Sequence, residues 1–270
     1  MRVLVAQATR MGDVLQTSPL IRMIRLAHPD AAIDVLVRRM GTTIARRHPD
    51  VAEVIVYDED EMFRHLNAGD SDRLLRAYDW AQQYVTRLRA REYDVAYNVT
   101  HSLASAMLMA LSGIPRVVGA HLTEDGAFVL RGDWTTYFFT AVFNREYNDL
   151  NLCDITRQFA HEAPPHRALV FEVTDEDRAE AARLCAEAGA EQAPFLACFQ
   201  LGASEENKRW DPEHFAGLAQ RLRAAYGAHI LLVGVPEEAP LGERMLQTAP
   251  GTATPLYGRT SLPVLAALLE

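Results

Sequence analysis

The sequence predicts an α/β protein built on parallel sheets, and three observations support this fold class. Short apolar segments alternate with segments whose apolar residues recur at helical spacing, first over residues 2–57 and again after residue 165. The connections between these segments are short, which is typical of an open parallel sheet. The 270 residues exceed the usual size of one domain, so we expect two domains.

The first half of the chain predicts five strands and the helices that connect them. Strands are expected at residues 2–6, 33–37, 51–57, 93–99 and 116–119. Helices are expected between Leu15 and Pro29 and at residues 41–48, 72–91, 102–111 and 148–163. Residues 7–13 are predicted to form a loop, the acidic residues 58–61 are expected to lead into a polar loop, and residues 121–148 follow no regular pattern.

The second half repeats the alternation on a smaller scale. The run Ala163-Pro164-Pro165 predicts a domain boundary and a hinge, which divides the chain into residues 1–165 and 166–270. Helices are then expected at residues 175–189, 212–226, 237–248 and 260–270, with strands at residues 195–200 and 229–233. These strands are too few for a sheet as large as the first, so we expect the second domain to be incomplete at residue 270. Of the two explanations, a truncated chain is favoured over a partner that supplies the missing part.

The charge of the chain limits the partners that it can have. A net charge of −9 argues against a general nucleic-acid binder, whose domain would normally be basic. Residues 1–50 nevertheless contain eight Arg and four Asp, and this local excess of positive charge suits an anionic partner such as a phosphorylated glycolipid or a membrane surface. The alternative is an ordinary solvated arginine face.

Cysteine usage and hydropathy indicate a cytoplasmic protein. The three cysteines are odd in number and match no metal or redox spacing, so a reducing compartment fits best. The first six residues are too short and too strand-like for a signal peptide. The longest apolar run, residues 103–111, is far shorter than the ~20 residues that a bilayer span needs, so any contact with the inner membrane would be peripheral.

The first candidate site is Met11-Gly12-Asp13, which follows the first predicted strand. Ligands of open α/β sheets bind at the carboxyl ends of the strands, and Gly12 permits a close approach of the backbone. Asp13 would project a carboxylate into the crevice, where it could accept the proton of a sugar hydroxyl as a general base. The alternative is structural, because an aspartate at a helix start is commonly a cap of that helix.

The second candidate site follows the strand that ends at Gln200. The small residues Gly202 and Ser204 precede Lys208 and a helix with Pro212 in its first turn. Backbone N–H groups, a hydroxyl and an ammonium group could therefore surround an anion such as a nucleotide phosphate. The alternative is a solvated lysine on an ordinary loop.

A third candidate site follows the strand at residues 229–233. Gly234 comes directly after this strand, and the acidic residues Glu237 and Glu238 come next. An acidic residue beyond a strand end can bind ribose hydroxyls, although glutamates at a helix start often serve only the helix dipole. Dinucleotide and P-loop glycine motifs are absent from the sequence, and no cluster of histidines or cysteines suggests a tightly bound metal.

Several segments match one known family in their order along the chain. They are RVLVAQATRMGDVLQTSPL at residues 2–20, HPDA at 28–31, IDVLV at 33–37, GAS at 202–204, KRW at 208–210, residues 215–218, Gly234 with Glu238, and YGRTSL at 257–262. Together these segments resemble glycosyltransferase family 9, the lipopolysaccharide heptosyltransferases. The resemblance spans both ends of the chain, and the middle matches loosely.

The resemblance implies a fold, a reaction and its substrates. The fold is the GT-B architecture, in which two Rossmann-like domains face a cleft. The reaction is an inverting transfer without metal or other cofactor, from a nucleotide sugar, ADP-heptose in typical members, to an anionic lipopolysaccharide-core glycolipid. By resemblance Asp13 is the catalytic base, with Arg10 and Gly12 in the acceptor-side loop of the N-terminal domain.

The resemblance also assigns the donor site to the second domain. By resemblance Gly202, Ser204 and Lys208 contact the donor phosphates, and Glu238 binds the ribose, with Glu237 as the alternative in register. One departure is that family members carry Asp-Thr/Ser-Gly-x-x-His after the segment that ends here at residue 270. We therefore expect weak or absent transfer by residues 1–270 alone.

Two other functions are compatible with the same fold. One is a nucleotide-sugar epimerase, which a carboxylate–histidine pair across the cleft would favour, although no histidine stands beside Asp13 in sequence. The other is a non-catalytic nucleotide-binding or scaffold protein, because fold alone does not assign function.

Overall fold

The computed structural model describes residues 1–270 except 58, 68, 145, 147 and 161–167. The chain divides into two compact units, Met1–Glu172 and Val173–Glu270. The predicted boundary and hinge at residues 163–165 lie outside the described residues, so the division after residue 165 stays a prediction.

The first unit contains a six-stranded sheet in the order β3-β2-β1-β4-β5-β6. Its strands are β1 (Arg2–Gln7), β2 (Ala32–Val37), β3 (Glu53–Val56), β4 (Val95–Asn98), β5 (Arg116–Leu122) and β6 (Phe128–Arg131). Neighbours from β3 to β5 are parallel, as predicted, whereas β6 runs antiparallel to β5. The sheet is therefore mixed at one edge, in the segment that the sequence left unassigned.

In the described residues of the first unit, five helices were predicted and differ from the prediction mainly at their ends, whereas the helices at residues 59–66 and 133–143 were not predicted. They are α1 (Met11–Ala27), α2 (Thr42–Arg46), α3 (Glu59–Leu66), α4 (Ser71–Arg89), α5 (Leu103–Leu111), α6 (Asp133–Phe143) and α7 (Leu152–Arg157). The predicted loop after residue 61 is wrong, because α3 occupies it. The helix predicted at 148–163 is shorter in the described residues: α7 is followed by one 3-10 turn, Gln158–Ala160.

Helix α1 begins earlier than its apolar periodicity indicates. The carbonyl oxygen of Arg10 accepts hydrogen bonds from the N–H groups of Asp13 (3.0 Å) and Val14 (3.2 Å), so the first helical turn already includes Asp13. Residues 11–13 thus belong to the helix rather than to the predicted loop. The connection from β1 to α1 is only residues 8–10, and this short turn holds Asp13 close to the carboxyl end of β1.

The second unit contains a three-stranded parallel sheet in the order β7-β8-β9. Its strands are β7 (Leu196–Gln200), β8 (His229–Val233) and β9 (Thr254–Pro255), and its helices are α8 (Asp175–Glu187), α9 (Pro212–Tyr226), α10 (Ala239–Thr248) and α11 (Leu262–Leu269). Strand β9 was not predicted, because two residues are too few to show a periodic pattern. Strand β8 and helix α9 have the bounds that the sequence predicted.

Both faces of the second sheet are buried. Ile230 and Leu232 of β8 belong to one apolar cluster, and Leu231 and Val233 belong to another on the opposite face. Helices cover both faces of such a sheet, so its open surfaces are its edges and the ends of its strands. The carboxyl ends of the strands are where ligands of this architecture bind.

Candidate functional site

Asp13 lies in the first turn of α1 with its two carboxylate oxygens in different surroundings. The Oδ2 atom accepts hydrogen bonds from the Thr9 hydroxyl (2.8 Å) and from the backbone N–H of Arg10 (3.2 Å). Within the described part of the chain, Oδ1 accepts no hydrogen bond. One carboxylate oxygen therefore caps the helix, while the other is left open.

The Thr9 hydroxyl has a second neighbour that limits its rotation. It lies 2.7 Å from Oε1 of Gln7, and the amide nitrogen of Gln7 donates to the Thr17 hydroxyl at 3.3 Å. The Gln7 and Thr17 side chains are buried, so this chain of hydrogen bonds links the Asp13 carboxylate to the core beneath it. Two acceptors share the single Thr9 proton, which keeps the hydroxyl between them.

The carboxyl end of β4 is fastened to the end of β1 beside Asp13. The Thr100 hydroxyl accepts a hydrogen bond from the Ala8 N–H (2.7 Å), and the Thr100 N–H donates to Oδ1 of Asn98 (3.1 Å). Asn98 in turn donates to the carbonyl of Ala120 on β5 at 2.8 Å. Asn98 and Thr100 are buried and fully hydrogen-bonded, so they hold three strand ends in register.

A pocket of about 500 Å³ opens at these strand ends, next to Asp13. This volume lies within the range of small-molecule sites. The lining combines polar side chains with apolar surface. It comes from the end of β1 and the connection to α1, from α1, from the ends of β2 and β4, and from the helices α6 and α7: Gln7, Ala8, Thr9, Arg10, Asp13, Gln16, Arg38, Val99, Thr100, His101, Ser102, Phe138, Leu152 and Thr156. The structure thus brings the predicted residues Arg10 and Asp13 to one pocket.

The basic N-terminal segment is divided between two roles. Arg22 and Arg25 pair with Asp50, with nitrogen–oxygen distances of 3.1 and 3.7 Å, so part of the positive charge is neutralised inside the unit. Arg10 and Arg38 line the pocket beside Asp13, and Arg38 also pairs with the Asp60 carboxylate. The anionic partner therefore stays a prediction.

Gly12 is exposed, and the fold does not require a glycine at this position. A Cβ atom at this position would meet no atom within 4 Å, and the backbone does not have a positive φ. The space above Gly12 is therefore open, and the close approach of a ligand there stays a prediction.

His101 is a residue of this pocket that the sequence did not reveal. Its ring stacks on Phe138, with the centroids 4.2 Å apart and 21° between the planes. Burial lowers the pKa of His101 to about 4, although a hydrogen bond to the Val99 backbone opposes this shift. Its Nε2 atom is buried and has no hydrogen-bond partner among the described residues.

In the second unit, Glu238 lies between two strand ends. One of its carboxylate oxygens occupies the space beside Gly202 where a Cβ atom would lie, and the other occupies the equivalent space beside Gly234. The Val235 N–H donates to Oε2 of Glu238 at 3.2 Å. Glu237, the alternative in register, is exposed. The close fit of Glu238 explains why both strand ends carry a glycine.

Lys208 and Ser204 lie on the exposed loop that follows β7. Lys208 ends a 3-10 turn, Glu206–Lys208, and its ammonium group pairs with the Glu205 carboxylate. Ser204 is exposed and has no partner among the described residues. Lys208 is also the single lysine of the sequence, in which every other strongly basic residue is arginine.

The start of α9 is not the open anion site that the sequence suggested. The Asp211 carboxylate accepts a hydrogen bond from the Glu213 N–H (3.4 Å), and the Asp211 carbonyl accepts from His214 (3.0 Å) and Phe215 (3.3 Å). These donors are already satisfied at the helix start. Candidate phosphate contacts in this unit therefore come from the loop residues Ser204 and Lys208.

Tyr257 is a second residue that sequence reasoning missed as part of a site. Its hydroxyl is buried without a partner among the described residues, beside the position of a Cβ on Gly242. Burial, and secondly the charge of Glu238, raise the pKa of Tyr257 to about 12. The hydroxyl therefore stays protonated at neutral pH and is a hydrogen-bond donor close to Glu238.

Comparison with known proteins assigns the chain to a family. The sequence model of glycosyltransferase family 9 (heptosyltransferase) matches residues 82–270. The chain belongs to this family. The predicted enzyme class, a glycosyltransferase, is thus confirmed.

Two curated relatives of this family-9 glycosyltransferase have the same name, lipopolysaccharide heptosyltransferase 2. The protein from Salmonella typhimurium is 23% identical over 253 residues, which cover 91% of this chain and 67% of that protein. The protein from Escherichia coli is 28% identical over 119 residues, which cover 44% of this chain and 31% of that protein.

Solved structures share the fold of this family-9 chain at low sequence identity. A glycosyltransferase of family 9 from Veillonella parvula matches with a TM-score of 0.74 and 17% identity, over 99% of this chain and 72% of that one. The E. coli heptosyltransferase WaaC with ADP-2-deoxy-2-fluoro heptose matches with a TM-score of 0.68 and 21% identity, over 100% and 80% of the two chains. The predicted GT-B class, with parallel sheets in an α/β fold, is confirmed.

The part of the chain that the structure describes contains neither a metal-binding cluster nor a membrane-spanning helix. Among the residues that the structure describes, no three His, Cys, Asp or Glu side chains lie close enough together to hold a metal ion. Over the same residues, no helix has both the length and the apolarity that crossing a bilayer requires.

Proposed function

We propose that this family-9 glycosyltransferase moves a heptose, or a related sugar, from an ADP-sugar to an anionic glycan acceptor of the lipopolysaccharide-core type. The observation that carries the proposal is the Asp13 carboxylate, which has one oxygen fastened by Thr9 and Arg10 and the other open beside a 500 Å³ pocket. The names of the relatives support the sugar and the acceptor, since two are lipopolysaccharide heptosyltransferases and WaaC was solved with an ADP-heptose analogue.

The proposed reaction uses Asp13 as a general base. Its Oδ1 atom takes the proton of an acceptor hydroxyl while the hydroxyl oxygen forms a bond to the anomeric carbon of the donor sugar. The bond from that carbon to the diphosphate oxygen breaks with its electron pair, so ADP leaves and the configuration at the carbon inverts. The proton remains on Asp13 until solvent removes it.

The donor is proposed to bind the loop and strand ends of the second unit. Lys208 would exchange its partner Glu205 for the diphosphate and neutralise the charge that develops on the leaving group, without a metal ion. The Ser204 hydroxyl and the backbone at Gly202 would contact the same phosphates. Glu238 would accept hydrogen bonds from the ribose, because it is a carboxylate fixed at the carboxyl ends of two strands.

The acceptor is proposed to bind the pocket of the first unit. The guanidinium groups of Arg10 and Arg38 suit phosphate or carboxylate groups of the acceptor, while Phe138 and Leu152 offer apolar surface to sugar rings. An acceptor with a lipid anchor would bring the first unit to the inner surface of the inner membrane, as a peripheral contact from the cytoplasm.

Calorimetric titration of the full-length protein with ADP, ADP-heptose and UDP tests the donor half of the proposal. We expect selective ADP binding that Lys208→Ala weakens at least about tenfold, because a charge-assisted contact is lost. Arg221→Ala is the control, since it removes one positive charge from an exposed position of α9. A preference for UDP would contradict the ADP donor, and no nucleotide binding would contradict the transferase and favour the scaffold.

A second candidate function, nucleotide-sugar epimerisation, has one observation in its favour. Asp13 and His101 line the same pocket, which gives the chain a carboxylate and a histidine in one site. The two residues come from the same unit, whereas the sequence hypothesis required a pair across the cleft. Incubation with ADP-heptose in the absence of an acceptor separates the two functions, because an epimerase changes the configuration of the sugar and a transferase leaves it unchanged.

A further inference from the structure

One nitrogen atom of a residue that lines the Asp13 pocket has no hydrogen-bond partner among the described residues. The Nε2 atom of His101 is buried and accepts or donates no hydrogen bond among the described residues, yet His101 lines the pocket beside Asp13. A buried polar atom without a partner is costly, and such atoms in native proteins often receive their partner from a ligand or a water molecule.

The His101 ring is held in one orientation. Phe138 stacks on one face at a centroid distance of 4.2 Å, and Phe139 lies near it at 6.1 Å. A hydrogen bond joins the ring to the backbone of Val99. Because Nε2 is the nitrogen without a partner, we assign this bond to Nδ1–H and the carbonyl of Val99. In a neutral ring that leaves Nε2 as a bare acceptor.

The two arginines of the pocket have the opposite hydrogen-bonding character to this nitrogen. Arg10 and Arg38 carry only donors and suit the anionic groups of an acceptor, and Asp13 supplies the open carboxylate oxygen. A phosphate without a proton cannot satisfy a bare nitrogen, whereas a sugar hydroxyl can donate to it. The chemistry at His101 therefore suits a hydroxyl group of the acceptor better than a phosphate group.

We propose that Nε2 of His101 accepts a hydrogen bond from a hydroxyl of the acceptor sugar other than the one that attacks the donor. His101 is then a specificity-determining residue, which distinguishes acceptors that carry this hydroxyl from those that lack it. The inference rests on the proposed function, and it adds a contact that orients the acceptor in front of Asp13. A site built to bind a hydroxyl discriminates strongly against an analogue without it.

Two substitutions separate the hydrogen bond from the shape of the side chain. His101→Phe keeps a ring that can stack on Phe138 but removes the acceptor atom, and His101→Gln keeps an acceptor oxygen close to the place of Nε2. His121→Phe is the matched control, because His121 also has a buried nitrogen without a described partner but does not line this pocket.

The experiment measures transfer from ADP-heptose to the deacylated core oligosaccharide of a heptose-less lipopolysaccharide, with the full-length protein and each variant. We expect His101→Phe to raise the KM for the oligosaccharide about tenfold or more, with kcat changed less than about threefold. His101→Gln should recover most of the loss, and His121→Phe should leave both constants unchanged. If His101→Phe has the wild-type KM while Asp13→Asn is inactive, the inference is overturned and the proposed function stands.

A second measurement decides the inference if wild-type protein transfers no sugar, an outcome that overturns the proposed function. The ¹⁵N resonance of Nε2, identified by its loss in His101→Phe, is followed while the same oligosaccharide is added. A shift that saturates would establish the hydroxyl contact in a protein that binds the glycan without transferring to it. An unchanged resonance would overturn the inference as well.

Discussion

The Thr9 hydroxyl lies 2.8 Å from Oδ2 of Asp13 and fixes that oxygen, while the Oδ1 atom of the same carboxylate faces no donor among the described residues. A general base must present its free oxygen in one direction, and this contact restricts the rotation of the carboxylate. The rate of transfer should therefore depend on Thr9, although Thr9 does not exchange a proton with the substrate.

Thr9→Val is expected to lower kcat roughly tenfold with little change in the KM for the donor, because one hydrogen bond to the carboxylate is lost. Steady-state kinetics of the full-length protein check this expectation. Thr136→Val is the control, since it removes a hydroxyl that bonds only the carbonyl of Gly132 on the exposed side of α6. An unchanged kcat in Thr9→Val would show that Asp13 needs no such support.

Gly202→Ala is expected to weaken ADP binding by about tenfold or more. The new methyl group would occupy the place of the Glu238 carboxylate and displace it from the position in which it is proposed to bind the ribose. Calorimetry with ADP checks the prediction. Gly217→Ala in α9 is the matched control: its methyl group would meet no atom within 4 Å, and alanine stabilises a helix by about 1 kcal/mol relative to glycine. Equal ADP affinity in both variants would argue against a role for Glu238 at this position.

Tyr257→Phe is expected to leave stability unchanged or to raise it by up to about 1 kcal/mol, because the hydroxyl is buried without a described partner. Thermal unfolding of the ligand-free chain measures this effect. A loss of more than about 1 kcal/mol would mean that the hydroxyl is hydrogen-bonded in the free protein.

The pH dependence of stability should change when His101 is replaced. Its pKa of about 4 in the folded chain is below the ordinary value, so the unfolded chain takes up a proton before the folded chain does as the pH falls. The contribution of His101 to the free energy of unfolding is therefore fully present above the pKa that the residue has in the unfolded chain. It is lost as the pH falls towards 4, the pKa in the folded chain. Relative to His101→Phe, the wild type should lose about 3 kcal/mol of unfolding free energy between pH 7 and pH 4.

Urea unfolding of both proteins at several pH values measures this difference. The comparison isolates His101 from His121 and His229, whose pKa values are also lowered by burial but which both proteins retain. Parallel pH curves for the two proteins would show that His101 titrates normally in the folded chain.

The sequence predicted the regular elements best where local signals were strong. Helix α9 has Asp211 as its cap, Pro212 at its start and Gly227 in a left-handed conformation after its end, and the prediction placed it correctly. Strand β9 and the antiparallel strand β6 lack such signals. Their pairing depends on neighbours that are distant in the sequence.

The site was predictable where the residues follow a strand directly, and hidden where tertiary contacts assemble it. Asp13 and Glu238 were identified because each follows a buried strand. His101 could have been considered on the same ground, since it follows β4, which pairs with β1. The sequence does not show that His101 stacks on Phe138 or that its Nε2 atom has no described partner. Both properties arise from tertiary packing, and Phe138 lies on α6, which the sequence left unassigned.

The most direct test of the central claim is single-turnover transfer from ADP-heptose by the full-length protein and its Asp13→Asn variant, with ADP affinity measured in both. Asparagine keeps the size of the side chain and an acceptor oxygen but cannot take up the proton. The account predicts equal ADP affinity and a transfer rate at least about 10²-fold lower in the variant. Transfer by Asp13→Asn at the wild-type rate would contradict the assignment of Asp13 as the catalytic base.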